Sequence, residues 1–530
     1  MDRKVKGKKL VYTSLMEQKI ADTPSQGPLN PNKVATWPRI FSSTTEITGA
    51  VHRAVARGEI VKIGPRLYTT EVEAFAANPK GLIRRNLLPI LEAYVPGGVI
   101  SDRSAATPGF VVEDTIFLVS DKGEKTIALP GLKIQVRSGK AAVPGDTNFG
   151  STNLNLASPT RTLLENQLPS RKRGLVSSRL TVAEQEEYLE RLLRTQGRRA
   201  IERIADSLKD VAATLDLAPL VPQAQKLART FLGTVQVSPK SQVLKARQKG
   251  SPYDPIRIEL FASLAQGLLH HDHVYQRSRP VAALQELPFF EAYFSNFIEG
   301  TEFVLEEAKK IVAEGILPAS RSSDAHDILS TYELVSDWKE MSRTPKTAEE
   351  FSDLLRDRHA RLLAYRPETT PGIFKEAANR VGLRQFVAPD LVTGTLHEAF
   401  KLGEILQDPW ARAVFLSFVV AEVHPFNDGN GRLSRIMLNA ELTAASEERV
   451  IIPTVYRDNY LSSLRALSSG NGPRAWLRSL EFAQTFTAQT PWRTYESARR
   501  ALEESHAFLT DAEATELGVK LTLPGELKTL

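Results

Sequence analysis

The stretch from residue 411 to residue 442 is the part of the chain that most restricts its fold. A mostly apolar run, Ala411–Val423, is followed by a loop with two glycines and then by a second stretch with apolar side chains at helical spacing. The sequence therefore predicts a buried helix that ends at His424 and a second helix that begins near Gly431.

The loop between these two helices carries residue types suited to binding an anion. It ends in Gly429, Asn430 and Gly431, and glycines let backbone N–H groups approach an anion without obstruction by Cβ. These groups would lie at the positive end of the second helix. Arg432 and Arg435 are three residues apart on that helix and so lie near one another.

Two further residues of the loop are suited to phosphate chemistry. His424 is a base that can accept a proton near neutral pH. Asp428 offers hard oxygen ligands, which suit a Mg²⁺ ion that bridges phosphates. A base, a metal-binding carboxylate, an anion site and two arginines together indicate phosphoryl or nucleotidyl transfer.

Segment His424–Arg435 resembles the signature of the Fic family, His-x-Phe-x-(Asp/Glu)-Gly-Asn-Gly-Arg-x-x-Arg, at every specified position. The resemblance implies a compact helical domain that transfers AMP from ATP to a Ser, Thr or Tyr hydroxyl of a target protein or of the chain itself. It further implies that His424 deprotonates the hydroxyl, that Asp428 holds Mg²⁺ and that Phe426 packs into the core. The implied ATP-phosphate-binding residues are Gly429, Asn430, Gly431, Arg432 and Arg435. Family members that transfer phosphate instead carry Lys at the position of Gly431, which disfavours a kinase.

An upstream segment resembles the inhibitory motif of the same family, (Ser/Thr)-x-x-x-Glu-(Gly/Asn). In a helix, Ser295 and Glu299 are four residues apart and share a face, and Gly300 would end that helix. The resemblance implies an inhibitory helix near residues 291–300. Its Glu299 would pair with Arg435 and occupy the place of the γ-phosphate.

Weaker similarities concern the target and the nucleotide base. Residues 371–389 resemble the flap hairpin of the family, which docks a target segment as an added strand, with Lys375 in place of the usual Arg. Tyr460 and Ser468 lie where the family contacts the adenine side of ATP. The run His270–His273 has three histidines, but successive positions point in different directions, so an exposed turn is expected there rather than a metal site.

The N-terminal part of the chain has a charge and a pattern of its own. The first 100 residues hold 15 Lys and Arg against 8 Asp and Glu, whereas the whole chain has a net charge of +6. A helix with apolar positions between Ile47 and Val55 precedes a short basic hairpin, which is typical of a winged helix-turn-helix that binds DNA. A plain packing module with a solvated basic face fits the same pattern. The residues that would contact DNA are Thr48, His52, Arg53, Arg57, Lys62 and Arg66.

This region also resembles the AbiEi-type antitoxin and transcriptional-regulator family over roughly residues 40–170. The segments that carry the resemblance are Arg57–Lys62, Gly64–Tyr68, Val95–Ser101 and Ser158–Leu164. It implies DNA binding in a regulator of the toxin–antitoxin type.

The predicted fold class is mainly α and multidomain, with a helical Fic domain C-terminal to a small winged-helix and α+β module. The predicted domains are a polar arm over 1–36, the AbiEi-like module over 37–170, a helical region and linker over 171–254, the Fic domain over 255–500 and a helical segment over 501–530. The absence of cysteine excludes disulfides, thiolate metal sites and cysteine nucleophiles.

The chain begins with no apolar signal segment, and its longest apolar run near the middle falls short of the roughly 20 residues that a membrane span needs. A cytoplasmic protein that does not bind membranes is therefore expected, with homo-oligomers left open. Two alternatives to AMP transfer remain. The same residues would serve removal of AMP from a protein, with Glu299 aligning a water, or the Fic domain would act as a nucleotide sensor in a DNA-binding regulator.

Overall fold

The computed structural model of the chain describes residues 34–150, 152–169, 176–315, 318, 321–382 and 384–525. The chain divides into two units, Met1–Lys245 and Ala246–Leu530. Most of the polar arm predicted over 1–36 lies outside the described residues, and its described end, Val34–Thr36, is a turn of 3₁₀-helix.

The first unit opens with a small helix-and-sheet element. Its order is β1 (Ile40–Ser42), α1 (Thr48–Ala56), β2 (Val61–Gly64) and β3 (Leu67–Thr69). The strands form an antiparallel sheet in the order β1-β3-β2, and one side of α1 packs on it through the buried residues Val51 and Ala54. The helix and the hairpin lie where the sequence predicts them.

A mixed six-stranded sheet follows, in the order β6-β7-β5-β4-β9-β8. Its strands are β4 (Val99–Ile100), β5 (Thr115–Ser120), β6 (Lys125–Leu129), β7 (Leu132–Ser138), β8 (Thr147–Asn148) and β9 (Asn155–Leu156). The helices beside it are α2 (Val72–Ala77), α3 (Pro79–Arg85), α4 (Leu87–Tyr94), α5 (Asp102–Ala106) and α6 (Pro159–Glu165). Every residue of β5 is buried, as expected for a central strand.

Helices then dominate the chain up to residue 248. They are α7 (Val182–Gln196), α8 (Arg198–Leu215), α9 (Val221–Phe231) and α10 (Gln242–Gln248). Helix α7 begins at a capping box, in which the side chains of Thr181 and Glu184 each accept from the backbone N–H of the other. The second half of the helical region and linker predicted over 171–254 contains two more helices, α9 and α10. Pro222 lies in the first turn of α9, where the N–H group that proline lacks has no partner within the helix, so it starts a helix instead of breaking one.

The second unit is a helical assembly with one short hairpin. Its helices are α11 (Pro255–Leu269), α12 (Leu287–Ile298), α13 (Leu305–Glu314), α14 (Ser322–Ser336), α15 (Ala348–Leu362), α16 (Val392–Gly403), α17 (Pro409–Val423), α18 (Asn430–Ala444), α19 (Arg457–Ser468), α20 (Arg474–Gln489), α21 (Tyr495–Glu504) and α22 (Asp511–Leu517). The hairpin consists of β10 (Arg380–Val381) and β11 (Arg384–Gln385).

Helix α17 lies at the centre of this unit. Twelve of its fifteen residues are buried, as its apolar run predicts. Its polar Ser417 is accommodated because the hydroxyl lies 3.0 Å from that of Ser434 on α18. The mainly helical architecture, with a small α+β region ahead of a helical unit, confirms the predicted fold class. Within the described residues, every helix is too short or too polar to span a bilayer.

Candidate active site

The predicted loop joins the two most closely packed helices of the second unit. Helix α17 ends at His424, whose backbone is left-handed (φ 52°), a conformation that histidine adopts more readily than most residues. The chain enters α18 at Gly429, which is also left-handed (φ 72°). The left-handed residues at the two ends of this six-residue loop reverse the direction of the chain, so the loop lies against α12 and α15.

Asn430 and Phe426 hold the loop in this shape. The Asn430 side chain accepts a hydrogen bond from the Phe426 N–H at 2.9 Å and donates one to the Phe426 carbonyl, also at 2.9 Å. Phe426 is fully buried and its ring stacks on His359 at 3.7 Å between centroids. The amide of Asn430, one of the predicted phosphate-binding residues, thus braces the loop. Its backbone N–H still lies in the first turn of α18, where N–H groups have no acceptor within the helix.

His424 is held as a neutral base. Its ring stacks on Phe386 of the flap segment, which comprises residues 371–389, with 3.8 Å between the ring centroids. Its Nδ1 lies 3.3 Å from the Ala421 carbonyl oxygen. Because a carbonyl can only accept, Nδ1 carries the proton and Nε2 is left with a free lone pair. Burial lowers the pKa of His424 to about 4, so the ring is unprotonated at neutral pH.

Two buried side chains, from α14 and α12, bind Arg432, the first arginine of the signature. Its Nη1 lies 2.8 Å from Asp327 Oδ2 on α14 and donates to Asn296 Oδ1 on α12 at 3.2 Å. Asp327 also accepts from Nε and Nη2 of Arg366 at 2.9 and 2.7 Å. The side chains of Arg432 and Asp327 are each only 3% exposed, so this pair is part of the interior.

Arg435, the second arginine, contacts the predicted inhibitory helix. Its Nε donates to Ser295 Oγ at 3.0 Å, and its Nη2 donates to the Ser295 carbonyl and to Glu299 Oε1, each at 2.8 Å. The predicted Glu299–Arg435 pair is thus present. Helix α12 ends at Ile298, so Glu299 caps the helix rather than lying within it, and Gly300 follows with φ 89°.

The Glu299 carboxylate lies at the start of α18. A Cβ built on Gly431 would collide with its Oε1, so a glycine is needed for this approach. The carboxylate is 34% exposed, in contrast to the buried Asp327. The structure therefore brings Ser295, Glu299 and Arg435 together where the sequence predicts an anion.

Asp428 is the one carboxylate predicted to bind a metal. Its side chain is 54% exposed, and Oδ1 accepts from the Gly429 N–H at 2.7 Å. Among the described residues, no three His, Asp or Glu side chains are grouped to hold a metal ion. A single exposed carboxylate such as Asp428 is the kind of ligand that Mg²⁺ uses, because this ion usually binds one or two carboxylates and takes its other ligands from water and substrate phosphates.

The flap segment is attached to the loop from the opposite side. Lys375 Nζ donates to the His424 carbonyl at 2.8 Å and to Asn379 Oδ1 at 2.7 Å, and Asn379 Nδ2 donates to the Phe426 carbonyl at 2.9 Å. Burial lowers the pKa of Lys375 to about 7. Lys375 is recognisable in the sequence by its place in the predicted flap hairpin, whereas Asn379 stands in the same segment with no distinctive pattern around it and is not.

The two residues predicted on the nucleotide side lie in different surroundings. Tyr460 on α19 is buried beside Arg435, and this burial raises the pKa of its phenol. Ser468 donates its hydroxyl to Glu422 Oε2 at 2.8 Å, and Glu422 also binds Arg257 at 2.9 Å and Arg384 of β11. Ser468 is thus engaged with a buried ion-pair cluster rather than presented to a ligand.

The histidine run after α11 is structural. His271 lies 2.7 Å from a carboxylate oxygen of Glu481, and His273 lies 3.1 Å from one of Glu447. Both rings stack on Trp410 of α17. The expected exposed turn is therefore partly packed against the helical core.

The residues predicted to contact DNA are all exposed in the first unit. They are Thr48, His52 and Arg53 on α1, Arg57 after it, and Lys62 and Arg66 of the hairpin. Arg57 pairs with Glu59 at 2.8 Å and Arg66 donates to the Ser43 carbonyl at 2.9 Å. Arg53 and Lys62 remain the basic side chains of this set that no hydrogen bond or ion pair among the described residues restrains.

Comparison with known proteins assigns part of this unit. Residues 350–442 match the model of the Fic/DOC family. The chain is 26% identical over 193 residues to protein adenylyltransferase fic-1 of Caenorhabditis briggsae and of Caenorhabditis elegans, a match that covers 36% of this chain and 38% of each relative. Protein adenylyltransferase Fic of Drosophila willistoni is 28% identical over 195 residues, which cover 36% of this chain and 39% of that protein.

Solved structures give similar matches. A fragment of Fic-1 from C. elegans aligns with a TM-score of 0.34 and 17% identity, over 58% of this chain and 92% of that one. A Fic-domain signaling protein from Bacteroides thetaiotaomicron aligns with a TM-score of 0.34 and 16% identity, over 46% and 97% of the two chains. The chain spans about two fifths of the length of the curated relatives it matches. It contains a Fic domain that is homologous to those of protein adenylyltransferases.

Proposed function

We propose that this protein is an autoinhibited adenylyltransferase, which transfers AMP from ATP to a hydroxyl side chain of a target protein or of itself. The observation that supports this most directly is the position of Glu299, an internal carboxylate bound to Arg435 at the start of α18. A site where an arginine binds a carboxylate beside the N-terminus of a helix is suited to a phosphate group.

His424 would begin the reaction. Its free Nε2 accepts the proton of the target hydroxyl as the hydroxyl oxygen attacks the α-phosphorus of ATP. A bond forms from that oxygen to phosphorus, the bond from phosphorus to the α,β-bridging oxygen breaks, and pyrophosphate leaves. The neutral state of His424 at pH 7 fits this role because the base is present without prior deprotonation.

The start of α18 would hold the phosphates. The backbone N–H groups of its first turn and the guanidinium groups of Arg432 and Arg435 stabilise the charge that develops on the leaving group. A Mg²⁺ ion held by Asp428 would neutralise the phosphates when bound. Glu299 competes for Arg435 with the γ-phosphate and thereby keeps ATP from its productive position.

Labelled ATP tests this proposal. Full-length protein, Glu299→Gly and the double variant Glu299→Gly/His424→Asn are incubated with Mg²⁺ and ATP labelled at the α- or the γ-phosphate. Asn is the matched replacement for His424 because it tolerates the left-handed backbone. Protein label from α-ATP alone, increased in Glu299→Gly and lost in the double variant, is the expected result.

Other outcomes would point elsewhere. Label from γ-ATP would mean kinase chemistry. No label in Glu299→Gly, although the variant binds ATP, would contradict AMP transfer. Loss of label from an AMP-modified target would instead favour the reverse reaction, with the exposed Glu299 carboxylate aligning a water.

We further propose that the first unit binds DNA, as a winged-helix module of a toxin–antitoxin-type regulator would. The supporting observation is that all six candidate residues on α1 and the β2–β3 hairpin are exposed. In the full chain, Arg53→Ala and Lys62→Ala should each weaken a mobility shift and lower its log–log salt slope by about one. Lys401→Ala, an exposed lysine of the second unit, is the control. Absence of a shift at low salt would rule DNA binding out.

A further inference from the structure

His359 of α15 joins two parts of the site that are far apart in sequence. Its side chain is fully buried, and its ring stacks on Phe426 with an interplanar angle of 5°. The Gly372 N–H, at the base of the flap segment, donates to Nδ1 at 2.9 Å. Nε2 lies 3.1 Å from the carbonyl oxygen of Asp428.

These two contacts fix the tautomer of the ring. A backbone nitrogen can only donate, so Nδ1 must carry the lone pair that accepts from Gly372. The ring proton is therefore on Nε2, where it donates to the Asp428 carbonyl. Each ring nitrogen has a different task, and no other standard side chain supplies a ring acceptor and a ring donor at this separation.

The contact with Asp428 controls the peptide between Asp428 and Gly429. Its carbonyl is held by His359, and its N–H donates to the Asp428 carboxylate at 2.7 Å. Because Gly429 tolerates both signs of φ, hydrogen bonds have to set the direction of this peptide. Asn430 Nδ2 also donates to the Asp428 carbonyl, at 3.4 Å, so the 3.1 Å contact with His359 is the shorter of the two that hold it. A Cβ on Gly429 would lie 3.0 Å from Leu363, so the loop already packs closely on α15. Fixing the carbonyl therefore fixes the direction of the carboxylate.

The contact with Gly372 ties the flap segment to the same ring. Gly372 has φ 77°, and a Cβ there would lie 3.0 Å from Ala360 of α15. Three residues later the Lys375 N–H donates to the Pro425 carbonyl of the signature loop at 2.9 Å. The base of the flap segment is thus attached both to α15, through His359, and to the loop, through Lys375.

We propose that His359 is a positioning residue, which orients the Asp428 carboxylate for Mg²⁺ through Nε2 and anchors the base of the flap segment through Nδ1. This inference rests on the proposed function for its catalytic consequence. The two tasks are separable because each belongs to one nitrogen of a ring whose tautomer is fixed.

Three substitutions in full-length Glu299→Gly protein separate the two nitrogens. Gln places an amide N–H near the position of Nε2, Asn places an acceptor near the position of Nδ1, and His359→Phe keeps the stacking ring without either hydrogen bond. His397→Gln is the matched control, since His397 of the neighbouring helix α16 contacts Ser352 and not the loop.

Two readouts are used. The first is the Mg²⁺ concentration that gives half-maximal self-labelling from α-labelled ATP. The second is amide hydrogen exchange at the peptides that contain Gly372 and Gly429, measured without nucleotide. His359→Phe should raise the half-maximal Mg²⁺ about tenfold and accelerate exchange at both peptides. His359→Gln should affect only the Gly372 peptide, and His359→Asn only the Gly429 peptide and the Mg²⁺ requirement.

Equal effects of His359→Gln, His359→Asn and His359→Phe on both readouts would mean that His359 only fills space, and would overturn the proposal. An unchanged Mg²⁺ requirement in His359→Asn and His359→Phe would overturn the part of the proposal in which His359 orients the Asp428 carboxylate. If Phe does not fold, the opposite responses of Gln and Asn still decide the matter. If the parent Glu299→Gly protein does not label at all, the proposed function fails while the exchange data still test the coupling.

Discussion

The two arginines of α18 lie one turn apart in very different surroundings. Arg432 is paired with Asp327, and both side chains are 3% exposed. Arg435 is paired with Glu299, the C-cap residue of α12, whose side chain is 34% exposed. The first pair lies in the interior and shares its carboxylate with Arg366. The second lies at the edge of the site.

This difference in burial decides which of the two contacts can act as a switch. Breaking a buried pair strands a charge in a poorly solvated place and is strongly destabilising. A partly exposed carboxylate can return to water at little cost, and the buried Arg435, 7% exposed, then keeps its hydrogen bonds to the hydroxyl and the carbonyl of Ser295. Glu299 can therefore leave Arg435 without unfolding the site, whereas Asp327 is suited to keep Arg432 in one orientation throughout.

The largest effect expected from this comparison is on stability. Asp327→Asn removes the charge between Arg432 and Arg366 and should lower the free energy of unfolding of the second unit by about 3–5 kcal/mol. Glu299→Gln should cost less, about 1–2 kcal/mol, because its amide oxygen still accepts from Arg435, which is only 7% exposed and also stays bound to Ser295. Urea unfolding followed by tryptophan fluorescence compares the two variants. Similar losses in both would remove the distinction between a fixed and a switchable arginine.

Activity should respond in the opposite order. Glu299→Gly frees Arg435 and should raise labelling from α-ATP at least tenfold, which corresponds to about 1.4 kcal/mol. Glu299→Gln can still accept from Arg435 but lacks the charge, so an intermediate rate is expected. Single-turnover labelling at saturating ATP measures both rates. A Gln variant as active as the Gly variant would show that charge, rather than the hydrogen bond, holds the site closed.

A smaller change is expected at Ser295. Its hydroxyl accepts from Arg435 Nε, but its carbonyl also binds Nη2. Ser295→Ala removes only the hydroxyl contact, which is worth about 1 kcal/mol, so labelling should rise a few-fold and stay below that of Glu299→Gly. Ser330→Ala, also a buried serine but on α14, is a control for the loss of a hydroxyl. No change in labelling would leave Glu299 and the Ser295 carbonyl as sufficient partners of Arg435.

Mild acid should have the smallest effect on catalysis. Burial lowers the pKa of His424 to about 4, from an ordinary value of 6.5, so the base stays neutral as pH falls from 8 to roughly 5. The kcat of Glu299→Gly should then be nearly flat over this range and fall only as pH approaches 4. The lowered pKa also means that His424 costs stability as pH falls from 6.5 to 4. A fall in kcat centred near pH 6.5 would contradict a buried, neutral His424.

The sequence predicted those parts of the site that lie in one short segment. Residues 424–435 carry a dense pattern of rare residue types, and Ser295 and Glu299 repeat at the spacing of a helix face. Asp327 and His359 stand in ordinary amphipathic helices, and their partners lie 105 and 69 residues further along the chain. Only the packing of α14 and α15 around the loop brings these residues to it. Helix α9, inside the predicted helical region and linker, could not be placed from its proline, because proline interrupts a helix in its interior but starts one at its first turn, as Pro222 does.

The left-handed backbone at the end of α17 has a consequence for the history of such chains. His424 has to close a helix and serve as the base, and few residues accept that conformation. A descendant that lost the catalytic activity would no longer need histidine at position 424, but its backbone there would still have to be left-handed. Its replacements should drift toward asparagine or glycine and away from valine or isoleucine. Inactive relatives of this site are therefore expected to keep the shape of the loop and to replace its first residue, His424, mainly by asparagine or glycine.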